Sequence, residues 1–446
     1  MTTSNSELPV LLNLYAQIAP GELFRLLQRN LGVTKHDGIY TPRVLIWMMM
    51  RQHLDGGGTL ASAVEQLTLG QLDPLLSRCK RVREQNIAVS TGGYCQARQN
   101  LPKMLLDRSV EEIIQRLRNH LSERLPLLER PVYVLDGSSV SLDSGAELKQ
   151  AYPPARNPRR PSHWPVLRIV VLHDVETGLA QQPCWGPMYG SEAVSEQALA
   201  QRVLEPLPPG AAIIADRNFG IFAIAHSAHQ KGHGVVVRMT SQRAKRLVDG
   251  ALNRQGVYPV AWKASPLEQA KHGKLPTDVI PGRLIVWRVG RGKSQQWLYL
   301  FTTLLIPREE VVALYGKRWH IETDLRSLKQ TMRLNRLSVQ SVDMMEKELL
   351  AAVLAYNLVR AIMCVAARTA GLHPRQLSFT YAYNIVQDGI ASVLAGSTEA
   401  EQVKRMERIV HLVARCKLPN RKKRRSFPRE VWGHGQPFPS RKEKTK

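Results

Sequence analysis

Five short segments between Pro131 and Arg238, four of them apolar runs, constrain this chain strongly. They are Pro131 to Leu135, Val166 to Leu172, Leu179 to Cys184, Ala211 to Ala215 and Val235 to Arg238. Four are rich in β-branched and aliphatic residues and bounded by Gly, Pro or Asp, so each reads as a strand, and Leu179 to Cys184 reads as the strand returning from the turn at Asp174 to Gly178. The stretches Ser191 to Leu204 and Phe219 to Lys231 between them read as helices. The resulting order, β-β-β-α-β-α-β, predicts a mixed α/β sheet. The first and fourth strands each end in a carboxylate, Asp136 and Asp216. Asp143 and Asp174 also stand near strand ends, but there the side chain reads as a turn cap.

A second constraint is the stretch from Ile306 to Arg333. Pro307 sits where a helix starts readily, and Glu309 and Glu310 complement the positive end of the helix dipole. At about 100° per residue, Tyr315, Arg318, Glu322, Arg326, Lys329 and Arg333 fall in one stripe roughly 80° wide. Leu314, Ile321, Leu325, Leu328 and Met332 line the stripe beside it. Taken alone, this is also the pattern of an ordinary amphipathic helix with a solvated face. Between Arg238 and this helix, Gly256 to Trp262, Arg283 to Val289 and Gln296 to Thr302 read as strands of an insert. If the helix packs back on the sheet, Asp136, Asp216 and Glu322 form a three-carboxylate pocket. Oxygen-only ligands suit Mg²⁺, with Mn²⁺ as a substitute. Two such ions about 4 Å apart serve phosphodiester chemistry.

Charge points the same way. The chain carries 62 Lys and Arg against 37 Asp and Glu, a formal charge of +25, with a hydrophobic fraction of 43%. A folded protein with that surplus attracts polyanions, nucleic acid first. The five cysteines have no metal-ligand spacing and fit free thiols in a reducing cytosol. No export signal is visible at the N-terminus, so a cytoplasmic location is expected. Leu349 to Ala367 is nearly long enough to span a bilayer, but Asn357 and Arg360 near its middle mark a buried core helix. His226, His229 and His233 lack an accompanying Cys or carboxylate and read as a polar helix surface.

The N-terminal residues read as short helices. Thr41-Pro42 opens one that ends before Gly56-Gly57-Gly58, Thr59 opens the next, and Ser90 is expected to cap a helix containing Gln96, Arg98 and Gln99. That Gln- and Arg-bearing helix is a candidate base reader. The cluster Arg243-Lys245-Arg246 and the tail Arg421 to Arg425 are candidate backbone contacts.

Tyr315-x2-Arg318-x3-Glu322-x6-Lys329 resembles the Tyr-Arg-Glu-Lys signature of the bacterial insertion-sequence-4 family of DDE transposases. Asp136-Gly137-Ser138, Asp216-Arg217 with Phe219-Gly220, and Tyr356-Asn357-Leu358-Val359-Arg360 also look like segments of that family. The resemblance implies an RNase H-like core interrupted by a β-rich insert before the Glu. It further implies cut-and-paste transposition, with a hairpin as one route, and Asp136, Asp216 and Glu322 as ligands of two metal ions. Tyr315, Arg318 and Lys329 would contact phosphates, joined by Arg326, Arg333 and Arg217. Trp287, Trp297 and Trp319 are candidates for stacking an extruded base, beside ordinary core packing. Double-stranded DNA, as element ends and target, is the implied partner. A dimer is expected on paired ends, and no membrane.

The expected division is a helical DNA-end-binding segment (1–125), the first part of the core (126–239), the insert (240–305), and the second part with the signature (306–370). C-terminal helices (371–419) and a basic tail (420–446) follow. A nuclease without strand transfer and a catalytically silent DNA-binding relative remain alternatives, the last disfavoured by the intact triad.

Overall fold

The computed structural model describes residues 11–33, 38–76, 79–122, 128–155, 162–248, 250, 252–272, 278–290, 295–331, 339–394 and 398–419. The basic tail and Arg333 lie outside the described residues. The chain begins with helices α1 (Leu11–Ile18), α2 (Gly21–Asn30), α3 (Pro42–Leu54), α4 (Leu60–Thr68), α5 (Lys80–Arg83), α6 (Gly92–Asn100) and α7 (Lys103–Ser122). Local chemistry sets several of these ends. The Thr41 side chain accepts from the Val44 N–H with Pro42 in the first turn, and Thr59 accepts from the Ser62 N–H. Thr91, not Ser90, precedes α6, and no side chain caps it.

The sheet follows: β1 (Val132–Ser141), α8 (Ala146–Ala151), β2 (Val166–Asp174), β3 (Cys184–Pro187), α9 (Glu196–Leu204), β4 (Ala212–Ala215), α10 (Phe222–Gln230) and β5 (Gly234–Arg238). Then come α11 (Ser241–Val248), β6 (Gly256–Trp262), α12 (Pro266–His272), β7 (Ile280–Val289) and β8 (Gln296–Thr302). The strand order is β3-β2-β1-β4-β5-β8-β7-β6. Strands β1 to β3 pair antiparallel, whereas β1, β4 and β5 pair parallel, which is the RNase H-like arrangement. The insert does not form a separate sheet. β8 pairs antiparallel with β5, so β6 to β8 continue the core sheet to eight strands. Helices α11 and α12 in this region were not foreseen from the sequence.

The third strand lies later than the sequence suggests. Within the expected Leu179–Cys184 segment, Ala180 bridges to β2 at His173, but continuous pairing begins only at its last residue, Cys184, opposite Val170. The Ala180 backbone is itself held by Asn357, whose side chain accepts from the Ala180 N–H and donates to the Ala180 carbonyl, both at 2.8 Å. Pro183, which has no N–H, precedes the regular pairing at Cys184.

After the sheet come α13 (Arg308–Gly316), α14 (Trp319–Arg326), a π-helical turn (Ser327–Thr331) and α15 (Val342–Thr369). A 3₁₀ turn (Pro374–Gln376), α16 (Phe379–Leu394) and α17 (Glu399–Ala414) complete the described chain. Helix α15 is long and apolar enough to cross a membrane, but 94% of its most apolar window is buried inside the protein. Its polar residues are partnered there, as Lys347, Glu348, Asn357 and Arg360 all make hydrogen bonds. The sheet separates two apolar clusters. Val132 and Val134 join the one containing α3, α7 and α15, while Tyr133 and Leu135 join the one beneath α9 and α10. Side chains alternate across a strand, so a single β1 feeds both layers.

Asn357→Ala leaves the buried backbone of Ala180 without either partner. The variant is expected to unfold at lower urea with a stability loss of about 3 kcal/mol, from two unsatisfied groups of about 1–3 kcal/mol each.

Candidate active site

Parallel pairing aligns Leu135 with Ala215 and Ala215 with Val237. The next residues along, Asp136, Asp216 and Arg238, therefore stand in a row just past the last parallel pairs; Asp136 does not end its strand as the sequence suggests, because β1 runs on to Ser141 against β2. The two carboxylates are side by side because each comes directly after the last parallel pair, Leu135 with Ala215. Each is oriented by local backbone. Asp136 Oδ1 accepts from the Gly137 N–H, and Asp216 Oδ1 accepts from the Asn218 N–H, both at 2.8 Å. Asp136 is pushed up to about 6, chiefly by burial and further by the charge of Asp216, against the lowering effect of the Gly137 N–H.

Two residues passed over in the sequence complete this edge. Glu196, the first residue of α9, accepts from the Asn218 side chain. A Cβ at position 137 would lie 2.9 Å from the Glu196 carboxyl carbon, so a larger residue there would displace the Glu196 side chain from the site. Arg238 is the other: it lies beside Tyr315, whose hydroxyl is buried. Register could have found Arg238, because both it and Asp216 end parallel strands. Glu196 left no such signal.

The signature is not carried by one continuous helix. Helix α13 stops at Gly316, and the N–H groups of Lys317, Arg318, His320 and Ile321 bond three residues back instead of four. A tight turn thus separates Tyr315 from Glu322. Farther on, α14 widens into the π turn that contains Lys329. Such π turns recur at functional sites. This one lets Lys329 Nζ donate to Ser138 Oγ at 3.0 Å, reaching the residue two beyond Asp136. Arg318 Nη2 lies 3.1 Å from Glu322 Oε1, and its charge is also felt by Asp136. The single stripe inferred from the sequence is therefore replaced by three short segments converging on the sheet edge. Among the described residues, no three His, Cys, Asp or Glu side chains form a ready metal cluster. Arg318 supplies the counter-charge between Glu322 and the aspartates.

Asp174 caps its own turn, its Oδ1 accepting from the N–H and hydroxyl of Thr177. Asp143 accepts from the Ser144 N–H. Both are turn residues, as the sequence indicated. Arg217 and Arg326 are exposed. Trp319 is 59% exposed beneath the Arg318 guanidinium. Trp287 and Trp297 are half-buried on opposite faces of the sheet, each under an arginine. Two expectations need correction. Arg98 is buried against Glu348, and Lys347 holds the last carbonyls of α6, so of that helix's candidate readers only Gln96 and Gln99 face solvent. His226 is buried and stacked on Phe222 rather than on a polar surface.

The Transposase DDE domain family matches residues 128–358, a span that contains Asp136, Asp216 and Glu322. The chain is also similar to the Transposase InsG for insertion sequence element IS4 of Escherichia coli (strain K12). The two are 26% identical over 315 residues, which covers 70% of each chain. With an RNase H-like sheet, an insert ahead of the signature and this family match, the chain belongs to the DDE transposases, in the insertion-sequence-4 family.

Proposed function

We propose that this DNA transposase binds the terminal inverted repeats of its element, cleaves there and joins the freed ends to target DNA. Asp136, Asp216 and Glu322 are its catalytic carboxylates. The observation that carries the proposal is the register that sets Asp136 beside Asp216, with Arg318 linking them to Glu322. The donor set is all oxygen, and Asp136 stays raised to about 6 despite the Arg318 charge, which fits two Mg²⁺ ions, or Mn²⁺ in their place. When bound, such ions activate a nucleophile and stabilise the leaving oxygen.

The chain's own groups do the rest. Lys329, Arg318 and Tyr315 hold phosphates beside the carboxylates, with Arg238 continuing the row. Arg217 and Arg326, both exposed, contact the backbone farther out, and Arg333 is assigned the same role. Trp319 is the preferred platform for an extruded base because it is the most exposed of the three tryptophans and adjoins Arg318. Trp287 and Trp297 are the alternatives, and a stacked base would accommodate a hairpin intermediate. Residues 1–125 recognise the element end through Gln96 and Gln99, and two copies act on paired ends in the bacterial cytoplasm.

The test is a labelled end-containing duplex incubated with Mg²⁺ and a plasmid target. Asp136→Asn, Asp216→Asn and Glu322→Gln should each lower cleavage and joining at least a thousandfold while end binding stays within about threefold. Wild-type cleavage without any joined product would support the nuclease alternative.

Asp136 also predicts a pH effect. Between its ordinary value of 3.8 and about 6, the folded protein keeps a proton that the unfolded chain has released. Metal-free stability therefore falls as pH rises through that window. Asp136→Asn should be the more stable protein at pH 7.5, by about 2–3 kcal/mol, and the difference should vanish near pH 4. Mg²⁺ should stabilise the wild type and not the variant, as read by urea denaturation.

For the outer cations the readout is salt. Removing one phosphate-binding charge, by Arg217→Ala or by Arg326→Ala, should reduce the slope of log affinity against log salt by about 0.9.

A further inference from the structure

Two residues beyond Glu322, on the opposite side of α14, Asp324 is fully buried. Its carboxylate accepts from Arg375 Nη1 at 2.7 and 2.8 Å and from Arg360 Nη2. Neither arginine belongs to the signature. Arg375 spends its remaining N–H groups on the carbonyls of Asp174 and Val175, at 2.7 and 2.8 Å. Arg360 donates to Tyr356 Oη, and Tyr356 donates to the Gly178 carbonyl. One carboxylate thus ties α14 to α15, to the 3₁₀ turn and to the turn after β2. That turn is rigid in its own right, because Asp174 caps it and Gly178, at φ +79°, leaves no room for a side chain beside either guanidinium. A second tie reaches the junction before α14: Glu176 accepts from Lys317 at 3.3 Å and is bonded to His373 at 2.8 Å.

This matters because α14 is short and is interrupted at both ends. Eight residues between a tight turn and a π turn do not inherit their rotation from a longer helix. A rotation of about 10° moves a side-chain tip about 6 Å from the axis by about 1 Å. A misplacement of that size costs on the order of a hundredfold in rate.

We propose that Asp324, clamped by Arg360 and Arg375, is a positioning residue that sets the rotation of α14 and so aims Glu322 at the Asp136–Asp216 pair. The proposal rests on Glu322 being the third catalytic carboxylate. Asp324 touches no substrate and acts only through Glu322.

The test is a double-mutant cycle on the full chain bound to end-containing DNA. Mn²⁺ affinity is followed by electron paramagnetic resonance, with single-turnover cleavage and end binding measured in parallel. Asp324→Asn should weaken Mn²⁺ binding about tenfold and slow cleavage on the order of a hundredfold, with end affinity within about twofold. Adding Asp324→Asn to Glu322→Gln should weaken Mn²⁺ binding no further. If Asp324→Asn does not fold, Arg375→Lys keeps a cation beside Asp324 but loses the fork that also reaches Asp174 and Val175, and the same pattern is expected. A folded clamp variant with unchanged Mn²⁺ binding and cleavage overturns the positioning role alone, as does an additive loss in the double variant. Unchanged Mn²⁺ binding in Glu322→Gln overturns the site reading and the positioning role together.

Discussion

The parallel register between β1 and β4 is the constraint on which the site depends. It brings two carboxylates from distant parts of the chain side by side on adjacent strands without any direct bond between them. The cost is electrostatic: a half-buried aspartate beside another is driven toward its protonated form. The fold holds that unfavourable pair because the strands beneath are fixed by two apolar layers, one on each face. A slip of one residue would turn Asp136 to the other face and move Val132 and Val134 out of their layer. Packing energy thus secures a charge arrangement that charge alone would oppose.

Buried ion pairs perform a related task on the helical side. Glu348 with Arg98 and His53, and Asp324 with Arg360 and Arg375, are each multiply hydrogen-bonded. Such groups add little net stability compared with apolar packing, but removing one partner is expensive. Their effect is to fix relative position. The first joins the N-terminal helices to the start of α15, and the second joins α14 to the middle of α15. A single buried helix therefore references both the helix bearing Gln96 and the helix bearing Glu322.

Much of this could be read from residue order. Strand-ending Asp216, the cap at Thr41, the turns at Asp143 and Asp174 and the buried α15 all express short-range chemistry, whereas β1 runs past Asp136 to Ser141 because β2 pairs with it. The misreadings share a physical cause, which is that they depend on tertiary partners. Arg98 looked like a reader because nothing nearby in sequence announces Glu348. The third strand pairs regularly only from Cys184, where β2 offers it a partner in Val170. The signature looked like one helix because helical periodicity is insensitive to a turn bonded three residues back at Lys317 and to a π turn at Lys329. Glu196 and Arg238 were overlooked for the same reason: what they adjoin is set by topology, not by spacing.

The insert's attachment to β5 bears on motion. A hairpin hung on flexible connections could swing as DNA passes between successive steps. Here β8 shares hydrogen bonds with β5, and Leu300 is paired with Arg238 at the site edge. Trp287 and Trp297 are thereby fastened to the same plate as the carboxylates, and bending that plate would break pairing across several strands. Under the proposed sequence of cleavage and joining, the core and insert would stay fixed with respect to each other and the DNA would have to move.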